Sequence, residues 1–571
     1  LGNKKRLIDI AAGRERADRV LKNCKVISVF TNEIIEGDIA IADGVIAGVG
    51  SYEGAEEVDL NGKYVSPSFV DGHVHIESSM VSPYQFSKQI VPRGTTAIVA
   101  DPHEIANVAG LAGIEYILDA TEDIPLDAYV MLPSCVPSTE HETSGAVLKA
   151  EDLNKLIAHP RVLGLGELMD FVGVVNGNQD IVDKISIAEG KIIDGHGPLI
   201  KDRELNAYVA AGAKTEHECS TLEEMKDRLR RGMYIQIREG TAARNLVELV
   251  KGLDKDNLRR CIFCTDDKHP EDLIHTGHID NNVRLAIENG LDPIDAIKMA
   301  SLNPSECYGL IGRGAIAPGY KADLIVFSDL KDIRVEKVYK DGVLSAEDGK
   351  LLGEYEEHLD ERTLSKVIIE DYTEDMVDLK LRTGDVNVIK LIDHSLVTSL
   401  AERKVDVKDG SFVYNKEEDI SKLVLVERHT GKSTTFVALL EGYGIENGAI
   451  GTTIAHDSHN IIVAGDNDRD IVNCINHIKL MGGGIAISSG GEIEDCLELK
   501  IGGLMSTEDI ETVNDKLTAM MKIARGHKVN EGVDPFMTLS FLALPVIPDV
   551  KITDKGLFDV VEFKFIDINR V

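Results

Sequence analysis

Two histidines, His73 and His75, stand one residue apart in VDGHVHIESSM, residues 70–80, at the end of an apolar run. In a strand, alternate side chains share a face, so both imidazoles point one way and Val74 the other. Two imidazoles side by side, followed by the carboxylate of Glu77, suggest the beginning of a metal site. An isolated H-x-H is a weak signal, and the rest of the chain must supply further ligands. The candidates are Glu167 in GLGELMD, His196 in IDGHGP, His217 in TEHE and Asp266 in CTDD. Any one of these histidines alone reads as a core or loop residue. Four histidines and two carboxylates at matching positions on successive strand candidates read as a metal centre.

The elements that must position them lie between residues 65 and 305, where strand and helix patterns alternate. The strand candidates are YVSPSFVDGHVH, TTAIVADPHE, AYVMLPSCVPS, VLGLGELMD, KIIDGHGP, AKTEHE, MYIQIREG and CIFCTDD. Between them, STLEEMKDRLRRG predicts a helix with a capping box from Ser220 to Glu223, a basic last turn and Gly232 past its end. LDPIDAIKMASLNP predicts another, with Asp292 as N-cap and Pro293 at the first helical position. Eight strands alternating with helices predict an α/β chain built on a (β/α)8 barrel, whose catalytic groups sit at the C-terminal strand ends. A doubly wound sheet is the rival, but its Gly-rich phosphate fingerprint is absent after the first strand. The expected organisation is a barrel over 66–307, a small composite β-domain from 1–65 and 308–355, and an extra α/β domain over 356–571. Asp43-Gly44 and Asn61-Gly62 are hairpin signals in the first of the flanking pieces.

Composition narrows the partners. The 571 residues carry a formal net charge of −35, which repels phosphate backbones and anionic membrane surfaces. No apolar run is long enough to span a membrane, and the N-terminus has no apolar signal core, so a cytoplasmic protein is expected. The eight cysteines form no framework, and Cys261 and Cys264 in CIFC read as buried strand residues. TGKS at 430–433 invites a P-loop reading, but the motif needs glycine at 426, where Val426 stands.

The H-x-H on the first strand, single histidines ending the fifth and sixth, Thr265-Asp266 ending the eighth and the return through IAPGYKADLIVF to a β-unit resemble the amidohydrolase superfamily. Within it, FVDGHVHIESSM, VADPHEIANV, GLGELMD, IDGHGP, REGTAARNL and CTDDKHPEDL are similar to the bacterial and archaeal adenine deaminases, over a span from residue 20 to the C-terminus. The resemblance implies hydrolytic deamination, in which a hydroxide held by two divalent metal ions attacks C6 of adenine and ammonia leaves to give hypoxanthine. It implies His73, His75 and Asp266 on one ion, His196 and His217 on the other, and Glu167 between them, where many binuclear relatives carry a carboxylated lysine. Such mixed ligands suit Mn(II) or Fe(II), with Zn(II) as the alternative. Asp266 is the expected proton acceptor. Relatives in the deaminase group use a glutamate three residues after the fifth-strand histidine as general acid. Here that position is Leu199. Proton transfer to the ring then falls to Glu167 or another carboxylate. The expected partner is a small molecule, adenine, with no nucleic acid or membrane, and the chain is expected to be a homo-oligomer.

Further candidates leave alternatives open. Glu77 hydrogen-bonds a purine edge or makes a strand-end ion pair. His103 joins the site or caps the helix that begins near Glu104. Arg238 enters the barrel mouth or pairs with Glu239 at the surface. His456, Asp457 and His459 in AHDSHN read by default as a turn with capping side chains. Two rival functions remain. A cyclic-amide hydrolase of the dihydropyrimidinase kind is disfavoured by the fourth-strand glutamate. A non-catalytic scaffold is disfavoured by the presence of all six ligands.

Overall fold

All eight expected segments are strands in the computed structural model, which describes residues 4–415 and 417–570. They are Phe69–His75, Thr95–Ala100, Asp127–Leu132, Val162–Leu168, Ile192–Gly195, Thr215–Glu216, Tyr234–Arg238 and Cys261–Cys264. Neighbours pair in parallel from the first to the fifth and from the sixth to the eighth. The fifth and sixth are linked by Lys214 N, which donates to Ile193 O at 2.9 Å. Closure comes just past the eighth strand, where Asp266 and Asp267 pair with Val74 and His75 of the first. Asp266 adopts φ +60°, a left-handed conformation that aspartate tolerates better than most residues.

These strands are buried on both faces, which is why TTAIVA and CIFC read as continuous apolar runs without alternation. Each fully buried Val, Ile or Phe here, such as Val99, Ile262 and Phe263, contributes roughly 1.5–3 kcal/mol of burial. The chain on either side of the barrel returns to one nine-stranded sheet, in which Leu324–Phe327 pairs antiparallel with Tyr64–Pro67. The C-terminal region holds an eight-stranded, largely antiparallel sheet. Its long helices, Asp468–Met481 and Ile510–Gly526, come late in the chain. The even alternation of strand and helix expected there is therefore absent from its first half, although the region is α/β. No helix among the described residues is long and apolar enough to cross a membrane.

Several local expectations need correcting. The capping box of the helix Leu222–Arg230 is formed by Thr221 and Glu224, one residue later than Ser220 and Glu223. Ser220 instead adds its own N–H and hydroxyl to the Glu224 carboxylate, each at 3.1 Å. Asp43-Gly44 does close a hairpin, with φ +50° and +76° and Ala42 opposite Val45. Asn61-Gly62 adopts the same left-handed pair of angles, yet the strands beside it, Gly54–Asp59 and Tyr64–Pro67, both run parallel to Ala17–Ser28. The turn signal was correct and the pairing was not, because pairing is decided by a strand distant in sequence. TGKS lies in the link between the antiparallel strands Ile420–Val426 and Thr435–Glu441, with no helix following it. The helix Lys4–Ala11 was not anticipated.

Candidate metal centre

The ends of five strands bring His73, His75, Glu167, His196, His217 and Asp266 together at one rim of the barrel. Glu167 is the hub. Its Oε1 lies 2.9 Å from His73 Nε2, 3.2 Å from His217 Nε2 and 3.5 Å from His75 Nε2. Its Oε2 lies 3.6 Å from His196 Nδ1 and 3.8 Å from His103 Nδ1. Asp266 Oδ1 is 3.1 Å from His75 Nε2 and 3.5 Å from His73 Nε2.

The supporting contacts decide which nitrogens face the centre. His75 Nδ1 donates to Asp101 O at 2.8 Å, which leaves the Nε2 lone pair directed at the carboxylates. Asp101 also accepts from Glu167 N at 2.8 Å, so one side chain ties the second strand to the fourth. Tyr208 OH accepts from His196 N and donates to Leu168 O, both at 2.8 Å. Asp71 accepts from His73 N and Thr265 N, fixing the first strand against the eighth. His73 is fully buried, and both of its ring nitrogens lack a hydrogen-bond partner, as does His217 Nδ1. A dry imidazole nitrogen beside carboxylate oxygens but in no hydrogen bond is costly unless a cation sits among them. This donor set fits divalent ions bound by nitrogen and oxygen.

Electrostatics point the same way. Burial alone would raise the Asp266 carboxyl, but the Arg238 guanidinium, 2.7 Å away, and the two imidazoles hold it well below the usual range. Glu167 is likewise held low against burial by His196, His217 and His73. Arg238 enters the barrel mouth and is engaged by Asp266 and Glu218, so the alternative of a surface pair with Glu239 is wrong. His103 is the first residue of the helix His103–Ala109 and makes no capping hydrogen bond; its ring packs beside His75 and Glu167. Leu199 is 71% exposed at φ +63° and contributes nothing to the centre.

Beside this candidate centre lies a cavity with two unlike walls. The barrel supplies Glu77, Glu104 and Asp267; the C-terminal region supplies His456, Phe536 and Phe541. Glu77 is buried, accepts from Ile105 N at 3.2 Å and is pushed up to about 7 by burial and by Glu104. The AHDSHN segment is a turn, as expected by default, but its side chains are buried over the barrel. His456 Nδ1 is 3.0 Å from Glu104 Oε1, and Asp457 Oδ1 is 3.9 Å from His103 Nε2.

Asp101, Glu104, Glu218 and Asp267 were not singled out from the sequence. The signal was present for two of them: TEHE and CTDD place Glu218 and Asp267 beside His217 and Asp266, residues already chosen at a strand end. Glu104 takes its importance from a contact 352 residues away in the chain, which no local pattern carries.

Two family models match the chain. Residues 64–345 match the model of the Amidohydrolase family, and residues 395–564 match that of the Adenine deaminase C-terminal domain. The chain is 50% identical to adenine deaminase of Clostridium acetobutylicum over 563 residues, covering 98% of this chain and 99% of that one. It is 47% identical to adenine deaminase 2 of Carboxydothermus hydrogenoformans, covering 99% of each. Among solved structures, a β-aspartyl dipeptidase from Fervidobacterium islandicum is 17% identical with a TM-score of 0.45, covering 59% of this chain and 99% of that one.

Proposed function

The chain belongs to the adenine deaminase family of amidohydrolases, and on that premise we propose that it hydrolyses the C6–amine bond of adenine at a binuclear metal centre, giving hypoxanthine and ammonia. The observation that carries this reading is the position of Glu167, one oxygen facing His73, His75 and His217 and the other facing His196. A carboxylate so placed can hold two cations side by side. His73, His75 and Asp266 would hold one ion, and His196 and His217 the other, with Glu167 shared. When bound, Mn(II), Fe(II) or Zn(II) would supply a Lewis acid and lower the pKa of water toward neutrality.

The protein's own groups account for the rest. Asp266, kept ionised by Arg238, accepts the proton of the attacking water. As C6 becomes tetrahedral, negative charge builds on the ring and must be met by a proton. With Leu199 at the surface, that proton falls to Glu77, a buried carboxyl on the cavity wall that burial and the neighbouring Glu104 push up to about 7, whereas Glu104 is held low against burial by His456. The apolar C-terminal wall excludes solvent, which strengthens each of these interactions.

Ammonia release from adenine, adenosine and cytosine by the Mn(II)-loaded protein tests the reading. Turnover of adenine is expected to exceed that of adenosine by at least ~100-fold, because the buried barrel mouth would have to make room for a ribose to accept the nucleoside. Folded, metal-loaded protein that leaves adenine intact, or that deaminates adenosine as fast, overturns it.

A further inference from the structure

Backbone ladders hold neighbouring barrel strands in register, but among the described residues they break at two seams. Between the fifth strand, Ile192–Gly195, and the sixth, Thr215–Glu216, the backbone contributes one bond, from Lys214 N to Ile193 O. Between the eighth, Cys261–Cys264, and the first, Phe69–His75, no pairing forms until Asp266. At each seam a fully buried aspartate reaches across to a fully buried threonine. Asp194 Oδ1 accepts the Thr215 hydroxyl at 2.7 Å, and Thr215 Oγ1 accepts Gly195 N at 3.2 Å. Asp71 accepts the Thr265 hydroxyl through Oδ2, and Thr265 N at 3.2 Å and His73 N at 3.1 Å through Oδ1. His278 Nε2 lies 3.0 Å from Asp71 Oδ2, and the Tyr308 hydroxyl lies 3.0 Å from both Asp194 oxygens. A buried carboxylate needs such partners, and each threonine supplies one from the far side of the seam.

The two clasps serve different ligands. Asp194 and Thr215 stand two residues before His196 and His217, whose ring nitrogens Nδ1 and Nε2 lie 3.3 Å apart across the first seam. Asp71 stands two residues before His73 and Thr265 one before Asp266, and His73 Nε2 is 3.5 Å from Asp266 Oδ1 across the second. Where no ladder fixes two strands, the side-chain bond must set how far apart their ligands stand. We propose that each clasp shapes one half of the centre: Asp194–Thr215 sets the spacing of His196 and His217 for one ion, and Asp71–Thr265 that of His73 and Asp266 for the other. All four are positioning residues and act through the ligands beside them. The inference rests on the binuclear reading above and adds to it the groups that hold each ion's ligands in place.

The test measures Mn(II) binding to the full-length protein at graded free metal set by a competing chelator, with adenine turnover followed in parallel. Thr215→Val and Thr265→Val replace the hydroxyl by a methyl group, whereas Thr215→Ser and Thr265→Ser keep it. Each valine variant should bind one ion as wild type does and the other about 10–100-fold more weakly, the usual effect of disturbing a group behind a metal ligand. Its kcat for adenine should fall with the weakened ion and return at saturating Mn(II), with KM unchanged. The serine variants should bind both ions as wild type does. The double variant Thr215→Val/Thr265→Val should weaken both ions, because separate sites add. Where circular dichroism shows a valine variant unfolded, the alanine variant of the same threonine takes its place. Folded variants that hold both ions as tightly as wild type, whatever their urea midpoints, overturn the proposal. So do serine variants as weak as the valine ones, or a double variant that keeps one tight ion. Wild type that binds fewer than two ions would instead overturn the binuclear reading itself.

Discussion

Glu167 presents its two oxygens to five imidazoles, those of His73, His75, His217, His196 and His103, all within 3.8 Å. Glutamine at this position keeps the shape and removes the charge that would hold two dications near each other. Glu167→Gln should therefore lose metal and activity together, with kcat/KM for adenine falling at least ~10²-fold, the usual loss for a general acid–base group, because the nucleophile is assembled there too. Metal analysis and ammonia release measure the two effects, and circular dichroism separates them from misfolding. A folded variant with two ions bound and near-normal turnover would remove the bridging role. At this scale the sequence was informative because strand ends of a barrel converge, so His73, His196, His217 and Asp266 could be placed in one site without knowing a single contact. Asp101 escaped notice for the opposite reason. Its role lies in joining the His75 ring to the Glu167 backbone, and neither bond leaves a local trace.

Elements were legible wherever the chemistry is local. The eight strands followed from apolar runs and their spacing, and Asp292 caps the helix Pro293–Met299 through Ile294 N at 2.9 Å as its sequence predicted. The capping box before Leu222–Arg230 shows the limit, since two overlapping matches, Ser220/Glu223 and Thr221/Glu224, are equally good on paper. Geometry selects the second: Thr221 Oγ1 accepts from Glu224 N at 3.3 Å, and the Glu224 carboxylate accepts from Thr221 N at 3.1 Å. Thr221→Ala should then lower stability by about 1 kcal/mol, the usual cost of an N-cap. The exposed Glu223→Ala should change it by less than about 0.5 kcal/mol. Midpoints of urea unfolding monitored by far-UV circular dichroism distinguish the two. Equal losses, or a larger loss at Glu223, would return the box to the earlier register. Asn61-Gly62 marks where local reading stops, because its turn forms while its flanking strands take a partner 37 or more residues away.

At the scale of the whole molecule, the C-terminal region meets the barrel at the site itself. The turn that carries His456 is held from behind by Arg428, a fully buried side chain at the end of the strand Ile420–Val426. Its guanidinium donates to His459 O, to Lys366 O at 2.8 Å and to Gly502 O at 2.8 Å. A Cβ at Gly503 would lie 2.8 Å from Arg428 Nη1, so the glycine leaves the guanidinium its room. Next to it, His429 Nε2 donates to Ser458 O at 2.7 Å. From the same turn, Asn460 donates to Thr143 O at 2.9 Å, in the loop after the third barrel strand. None of this was visible in the sequence, where Arg428 and AHDSHN are separated by 26 residues of strand and turn that give no sign of folding back. The arrangement makes a prediction that separates support of the fold from support of the site. Arg428→Lys keeps a charge but replaces a three-way fork by a single ammonium, so at least one carbonyl loses its donor. Stability should fall by about 1–3 kcal/mol for that buried group. If the clamp also positions His456 in the cavity wall, kcat/KM for adenine should drop by about tenfold through KM, with the ligands of the candidate metal centre left in place. Metal content should match wild type. A variant that unfolds at lower urea yet binds and turns over adenine as wild type does would show that Arg428 holds the fold and has no bearing on the pocket.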